Sequence, residues 1–189
     1  MNYNNANYSR FQGVPFDGID TSENNYYKNG FKKACKLTQN LEGEIIDPFA
    51  RNCSWGTITN DLDPTTKADY NLDALEFLKK MKTNSAKIIL FDPPFSPSQE
   101  KKYKGGCQNL YANPRKISKM YKEMFRILKS GGVILKLGYN STRPNPNLEL
   151  IDCQLVNFGG SKNDVIQTIW QLKIMKLNEI CNITGEKNE

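Results

Sequence analysis

Apolar residues in this chain fall into short runs separated by polar, glycine- and proline-bearing stretches, and the spacing within each run predicts its conformation. Ile45-Ile46 leads into Asp47-Pro48, a strand closed by proline, and Thr57-Ile58-Thr59 reads as a second short strand. Leu72, Leu75, Leu78 and Met81 recur at helical spacing, which predicts a helix with one buried face over residues 71–82. Residues 87–91 are a continuous β-favouring run stopped by Asp92-Pro93-Pro94, the pattern of a central parallel strand buried on both faces. Pro114 suits the first turn of a helix whose buried stripe is Ile117, Met120, Tyr121, Met124, Phe125 and Leu128, with Gly131-Gly132 as its left-handed exit. Residues 133–137 form the next strand. Residues 148–158 and 165–174 form two more, joined by the turn-forming stretch 159–164.

Strands alternating with helices and then a terminal hairpin predict an α/β fold: a Rossmann-like three-layer sandwich whose mostly parallel sheet is closed by an antiparallel C-terminal hairpin. Residues 1–29, rich in Asn and Tyr and without periodicity, read as an irregular arm or lid, and a short helix is expected over 30–40. A single domain spans 30–178 and a polar tail covers 179–189. Asp47 and Asp61 lie so near in sequence that the first crossover helix must be truncated to about one turn. In such sheets ligands bind beyond the carboxyl ends of the strands, where the strand order reverses. Asp47, Asn60-Asp61 and Asp92 all occupy expected strand ends.

Composition narrows the chemistry. A length of 189 residues suits one well-buried core. No run approaches the ~20 apolar residues of a membrane span, and the N-terminus lacks the features of a secretory signal, so a cytoplasmic protein without membrane contact is expected. Five scattered cysteines without a C-x-x-C pair indicate neither a disulfide framework nor a zinc site. With no histidine in the chain, Ser-His and Cys-His nucleophile pairs and imidazole bases are excluded, and no metal is expected. A net charge of +6 mildly favours a polyanionic partner.

The segment Asp92-Pro93-Pro94-Phe95 carries the most specific chemistry. An adenine amino nitrogen is a poor nucleophile because its lone pair is delocalised into the ring. A carboxylate at Asp92 and the Pro93 carbonyl can accept its two N–H bonds, draw the nitrogen toward tetrahedral geometry and stabilise the charge that develops during methylation. Two prolines stiffen the backbone that presents this carbonyl, and Phe95 can stack on a base withdrawn from its helix. The bland reading is a strand-ending turn followed by a core aromatic.

These residues resemble motif IV of DNA amino-methyltransferases, [DNS]-P-P-[YFW], in the Asp form of the adenine-N6 branch. Glu44-Ile45-Ile46-Asp47-Pro48-Phe49-Ala50 resembles the cofactor-binding motif I of the same superfamily, with Arg51 and Cys53 where glycines are usual and Asn52 as a substitute left-handed residue. Asp69 to Leu78 resembles its D-A-x-x-F-L stretch, and Leu128-Lys129-Ser130-Gly131-Gly132 its L-K-P-G-G passage. Taken in order with Gly138-Tyr139-Asn140-Ser141 and residues 159–166, the chain resembles small phage-type adenine-specific methyltransferases over roughly residues 44–170.

The resemblance implies a class I methyltransferase fold, S-adenosylmethionine as cofactor and the N6 amino group of adenine in DNA as acceptor. It assigns Asp92, Pro93, Pro94 and Phe95 to catalysis. Asp47, Pro48, Phe49, Ala50, Arg51, Asn60, Asp61, Asp73 and Ala74 are assigned to the cofactor, with Asp61 on the ribose hydroxyls and Asp73 on the cofactor's adenine. No stretch is long enough for a separate target-recognition domain. Lys101, Lys102, Tyr103 and Lys104, beside Gly105-Gly106, therefore read as a substrate clamp, with Asn113, Arg115 and Lys116 extending the basic edge. Such a charge run is also what a solvated loop looks like. There is room for a homodimer or a separate specificity partner. Two rival readings remain: amino-methylation of RNA adenine or of cytosine N4, and an inactive cofactor- or DNA-binding module.

Overall fold

A computed structural model describes residues 7–12, 25–94, 110, 113–157 and 165–173. In chain order the elements are β1 (Asn7–Gln12), α1 (Asn25–Leu37), β2 (Glu44–Asp47), β3 (Ile58–Thr59), α2 (Ala74–Lys80) and β4 (Ala86–Phe91). These are followed by α3 (Pro114–Ile127), β5 (Leu128–Gly138), β6 (Leu148–Asn157) and β7 (Val165–Leu172). The strands form one seven-stranded sheet in the order β1-β6-β7-β5-β4-β2-β3. Neighbours from β5 to β3 are parallel, whereas β7 is antiparallel to both β5 and β6, between which it lies. This is the Rossmann-like α/β sandwich expected from the sequence, its central parallel strands closed by an antiparallel hairpin of β6 and β7.

Side-chain alternation builds the two faces. Ile89, Phe91 and Ile134 point toward α2 and α3, joining Leu75, Phe77, Leu78, Met120, Met124 and Ile127. Ile88, Leu90, Val133 and Leu135 point the other way, onto Ala34 of α1. A strand buried on both sides cannot show polar alternation, which is why β4 reads as an unbroken apolar run. Because the chain goes from β2 outward to β3 and then back past β2 to β4, the strand order reverses between β2 and β4. The carboxyl ends of these strands therefore flank the crevice in which such sheets bind ligands.

Several elements depart from the sequence pattern, each for a local reason. Within residues 1–29, expected to be irregular, β1 pairs in parallel with β6 from Asn7↔Asp152 to Gln12↔Asn157, and α1 opens at Asn25. Edge pairing uses backbone groups, so it needs no hydrophobic period. Gly30 lies inside α1 rather than at its start, because a Cβ there would sit 2.4 Å from the Gln167 side chain. Its absence lets the helix rest on β7. The first crossover lacks even the one helical turn expected: residues 48–57 contain hydrogen-bonded turns and no helix. At the end of α3, Leu128 is already extended, its N–H donating to the Met124 carbonyl. Gly131, at φ +80°, consequently lies inside β5 rather than at a helix exit. There the pairing jumps from Ala86↔Leu128 to Ile88↔Val133, and the two glycines absorb the surplus residues. The turn 159–164 lies outside the described residues.

Candidate active site

β4 delivers Asp92-Pro93-Pro94 to the middle of the sheet's carboxyl edge, one residue past the last paired position, Phe91↔Lys136. Pro93 is buried, and Asp92 and Pro94 are half-buried. By alternation along β4, Asp92 follows Leu90 onto the α1 face of the sheet. Phe95 and the expected clamp residues Lys101, Lys102, Tyr103 and Lys104 lie outside the described residues.

Beside this strand end, the loop after β2 is held by backbone bonds. Asp47 is buried and its Oδ1 accepts the Phe49 N–H at 3.1 Å, an Asx turn that redirects the chain at Pro48. Phe49 packs edge-on against Phe91, with ring centroids 5.7 Å apart. The Ala50 N–H donates to the Asn60 carbonyl and the Asn60 N–H to the Asp47 carbonyl, at 2.9 and 2.8 Å. Arg51, and not Asn52, takes the left-handed conformation, at φ +49°. Its N–H donates to Asp61 Oδ2 at 3.0 Å. On the return limb of this loop Gly56 lets the chain pass close to β2, since a Cβ there would lie 3.1 Å from that of Asp47. Trp55 pins the limb to α1 by stacking on Phe31, 4.6 Å between centroids and 6° between planes.

The remaining expected cofactor residues come together at the same edge, several of them already engaged within the fold. Asn60 is fully buried and bridges three segments. Its Nδ2 donates to the Pro48 and Leu72 carbonyls at 3.1 and 3.0 Å, and its Oδ1 accepts the Leu72 N–H at 3.0 Å. Asp61 Oδ1 accepts the Asp63 N–H at 2.9 Å. With one bond on each oxygen, its carboxylate retains acceptor sites for a further pair of hydroxyls. Asp73 caps α2, its Oδ1 accepting from Leu75 N–H at 3.0 Å, and Oδ2 pairs with Lys116 Nζ. Ala74 behind it is buried. Asp69 binds the Thr59 N–H and hydroxyl through one oxygen, at 2.8 Å each. Of the basic edge expected after motif IV, Lys116 is thus turned onto Asp73, and Asn113 is the N-cap of α3, accepting from Lys116 N–H. Arg115 is exposed.

Two residues without an expected role, Tyr27 and Tyr139, lie in the neighbourhood of Asp92, and a third, Lys136, is buried on the opposite face of the sheet. Tyr27 of α1 is buried against Leu137, Val156 and Val165. Burial, then the Asp92 carboxylate, then Tyr139 push its phenol well above the ordinary value, so the three groups share one neighbourhood. Lys136 is buried on the α2/α3 face of β5. Its ammonium donates to Asn140 O, Asn140 Oδ1 and Thr142 O at 3.1, 3.0 and 3.1 Å, and burial lowers it to about 8. A lysine inside the apolar run 133–137 was a signal available in the sequence. Tyr27 carried none, because its partners lie far away along the chain. The thiols of Cys35 and Cys153 are raised by burial, which fits a structural role. Among the described residues no group of three metal-ligating side chains occurs, and no helix is long and apolar enough to cross a membrane.

No protein-family model matches the chain, and no curated protein does. Among solved structures, a proposed methylase of Haemophilus influenzae is similar with a TM-score of 0.49 at 16% identity, covering 76% of this chain and 88% of its own. A proposed methyltransferase of Escherichia coli, YhhF, is similar with a TM-score of 0.49 at 13% identity, covering 87% of this chain and 92% of its own.

Proposed function

We propose that this chain is an S-adenosylmethionine-dependent methyltransferase acting on the exocyclic amino nitrogen of adenine in DNA. The observation that carries the reading is the placement of Asp92-Pro93-Pro94 at the end of the central strand, beside the point where strand order reverses. The residues present suit a cationic cofactor. Although the chain is basic as a whole, Asp47, Asp61, Asp63, Asp69, Asp73 and Asp92 all gather along this one edge. Asp61 has acceptor capacity for ribose hydroxyls, and the turn around Asp47 to Arg51 offers backbone for close approach. Arg51 adopts the left-handed conformation that a glycine would supply, so the substituted loop keeps its course. S-adenosylmethionine held at this edge would supply an electrophilic methyl group on a sulfonium whose carbon–sulfur bond breaks as the methyl is transferred.

The chain's own residues prepare the acceptor. Asp92 takes one amino N–H and the Pro93 carbonyl the other, which localises the nitrogen lone pair toward the methyl donor. As the new N–C bond forms, the nitrogen becomes cationic. The Asp92 carboxylate stabilises that charge, and the surplus amino proton departs by way of Asp92 to water. No enzyme nucleophile is required, in keeping with the absence of histidine.

The test is transfer of labelled methyl from S-adenosylmethionine to DNA and RNA oligonucleotides, followed by nucleoside analysis. N6-methyladenine in DNA supports the reading; modified adenine in RNA only, or N4-methylcytosine, moves it to a sister substrate. Asp92→Ala should lower turnover by at least ~10²-fold with an unchanged circular dichroism spectrum. Cofactor binding without transfer to any nucleic acid would instead favour an inactive binding module.

A further inference from the structure

The outer face of α1 carries positive charge that the fold leaves unbalanced. The helix contains Lys28, Lys32, Lys33 and Lys36 and no acidic residue. Its inner face is occupied by the sheet: Tyr27 is buried against Leu137, Val156 and Val165, and Ala34 against Val133, Leu135 and Ile169. The lysines fan across the opposite side, Lys32 and Lys36 exposed and Lys28 and Lys33 half-buried at its margins. Lys33 is neutralised by the buried Asp152, at 2.7 Å. The other three have no acidic partner among the described residues. Lys28, Lys32 and Lys36 recur every four residues, so they are neighbours on the helix surface, where like charges oppose helix formation. Lys28, near the helix start, also opposes the macrodipole. Exposed positions of the other helices are instead paired three residues apart, Glu76 with Lys79 and Glu123 with Arg126. A helix face that only needs water gains from mixed signs, whereas a face of one sign suits a polyanion.

The stripe also starts in the right place. Tyr27, near the start of α1, meets Leu137 at the carboxyl end of β5, and Ala34, two turns on, meets Val133 and Leu135. The helix therefore descends from the carboxyl edge, on the face of the sheet that Asp92 shares with Leu90. Lys28 directly follows Tyr27, whose phenol feels the Asp92 carboxylate, and Lys32 and Lys36 lead away from it. We propose that the outer face of α1 is the track for the phosphate backbone of the DNA substrate, with Lys28, Lys32 and Lys36 meeting phosphates next to the adenine held at Asp92-Pro93-Pro94. The inference rests on the adenine reading above and adds to it the surface that holds the strand. From Lys28 to Lys36 the axis rises about 12 Å, the rise of roughly three to four phosphates of one strand. Such contacts position the strand and carry no sequence information, in keeping with a chain that has no stretch for a target-recognition domain. Because the apolar side of α1 is spent on the sheet, the helix has none left to insert into a lipid surface.

The test uses the full chain with Lys28→Gln, Lys32→Gln and Lys36→Gln combined, and a second variant with Lys→Arg at the same three positions. Binding to an end-labelled single-stranded DNA oligonucleotide, and to an abasic one of equal length, is read by fluorescence anisotropy from about 50 to about 200 mM salt. Methyl transfer to the first oligonucleotide is measured alongside. Each lost phosphate contact lowers the steepness of log K against log salt by about 0.7 on a single strand, so the Gln variant should lose about 2 on both oligonucleotides. Over that fourfold rise in salt, wild type should weaken about 15-fold more than the Gln variant. The Arg variant keeps the charge and should keep the wild-type slope. Lys80→Gln with Lys82→Gln removes exposed lysines at the amino edge of the sheet and should leave the slope in place, which separates a docked backbone from net charge alone. An unchanged slope in the Gln variant, or an equal loss per charge in the Lys80 and Lys82 variant, overturns the track, and methylated adenine from wild type leaves the adenine reading standing. Wild type that shows the α1-dependent slope yet transfers no methyl keeps the track and overturns the adenine reading. Binding to phosphatidylserine vesicles and to no oligonucleotide overturns both.

Discussion

Replacing Lys136 with methionine isolates the energetic cost of a buried cation at the edge of the candidate site. In the fold this ammonium is 4% exposed and burial lowers it from 10.5 to about 8. Its partners across the sheet, Phe91 and Thr168, carry no charge, and its acceptors are uncharged oxygens of Asn140 and Thr142. A proton is therefore held less tightly in the folded chain than in the unfolded one. Between pH 8 and 10.5 the unfolded state binds more protons, so stability rises with pH across that window. At ~1.4 kcal/mol per pKa unit the full window corresponds to about 3 kcal/mol, of which about 2 kcal/mol should be regained between pH 7 and 9.5. The Met variant keeps the aliphatic length and lacks the titration. Urea denaturation of both proteins at half-unit steps from pH 7 to 9.5 should show wild type gaining about 2 kcal/mol relative to the variant. Higher pH is avoided because Tyr27 and Tyr121, whose phenols are raised by burial, lose their protons more easily when unfolded and reverse the slope. Parallel stability curves would refute the reasoning, since Lys136 would then titrate alike in both states.

Two further predictions concern the supports of the site. Gly30→Ala should destabilise the fold by ~1–3 kcal/mol despite alanine's better helix propensity, because the added Cβ meets Gln167, which is buried and bonded to Gln154; thermal melting reads the sign, and a raised midpoint would contradict the packing argument. Asp73→Ala removes both the α2 cap and the partner of Lys116 and should cost about 1–2 kcal/mol, whereas Asp73→Asn retains the cap and should recover most of it in urea titrations.

Much of the architecture was legible because it is written in local periodicity. β4, β5 and the buried stripe of α3 each carry their own pattern, and the strand-ending acids Asp47, Asp61 and Asp92 follow from where those runs stop. The elements that went unseen lack such a pattern. β1 joins the sheet through backbone pairing at an edge, and α1 extends past Gly30 because β7, distant in sequence, offers Gln167 as a seat. Gly131-Gly132 looks the same in sequence whether it ends a helix or relaxes a strand; the register of β4 against β5 decides.

The amino-acid order alone determined at which strand ends the candidate residues Asp47, Asp61 and Asp92 stand, since hydrophobic spacing and proline are short-range signals. Only the folded chain decided how those residues are used. Asp73 is committed to a helix cap and a lysine, Arg51 takes the left-handed conformation, and Tyr27 and Tyr139 share the neighbourhood of Asp92. Their partners are brought close by the pairing of β4 with β5 and the docking of α1. Contacts between segments so far apart in the chain depend on the whole packed sheet and leave no mark in any single window of sequence.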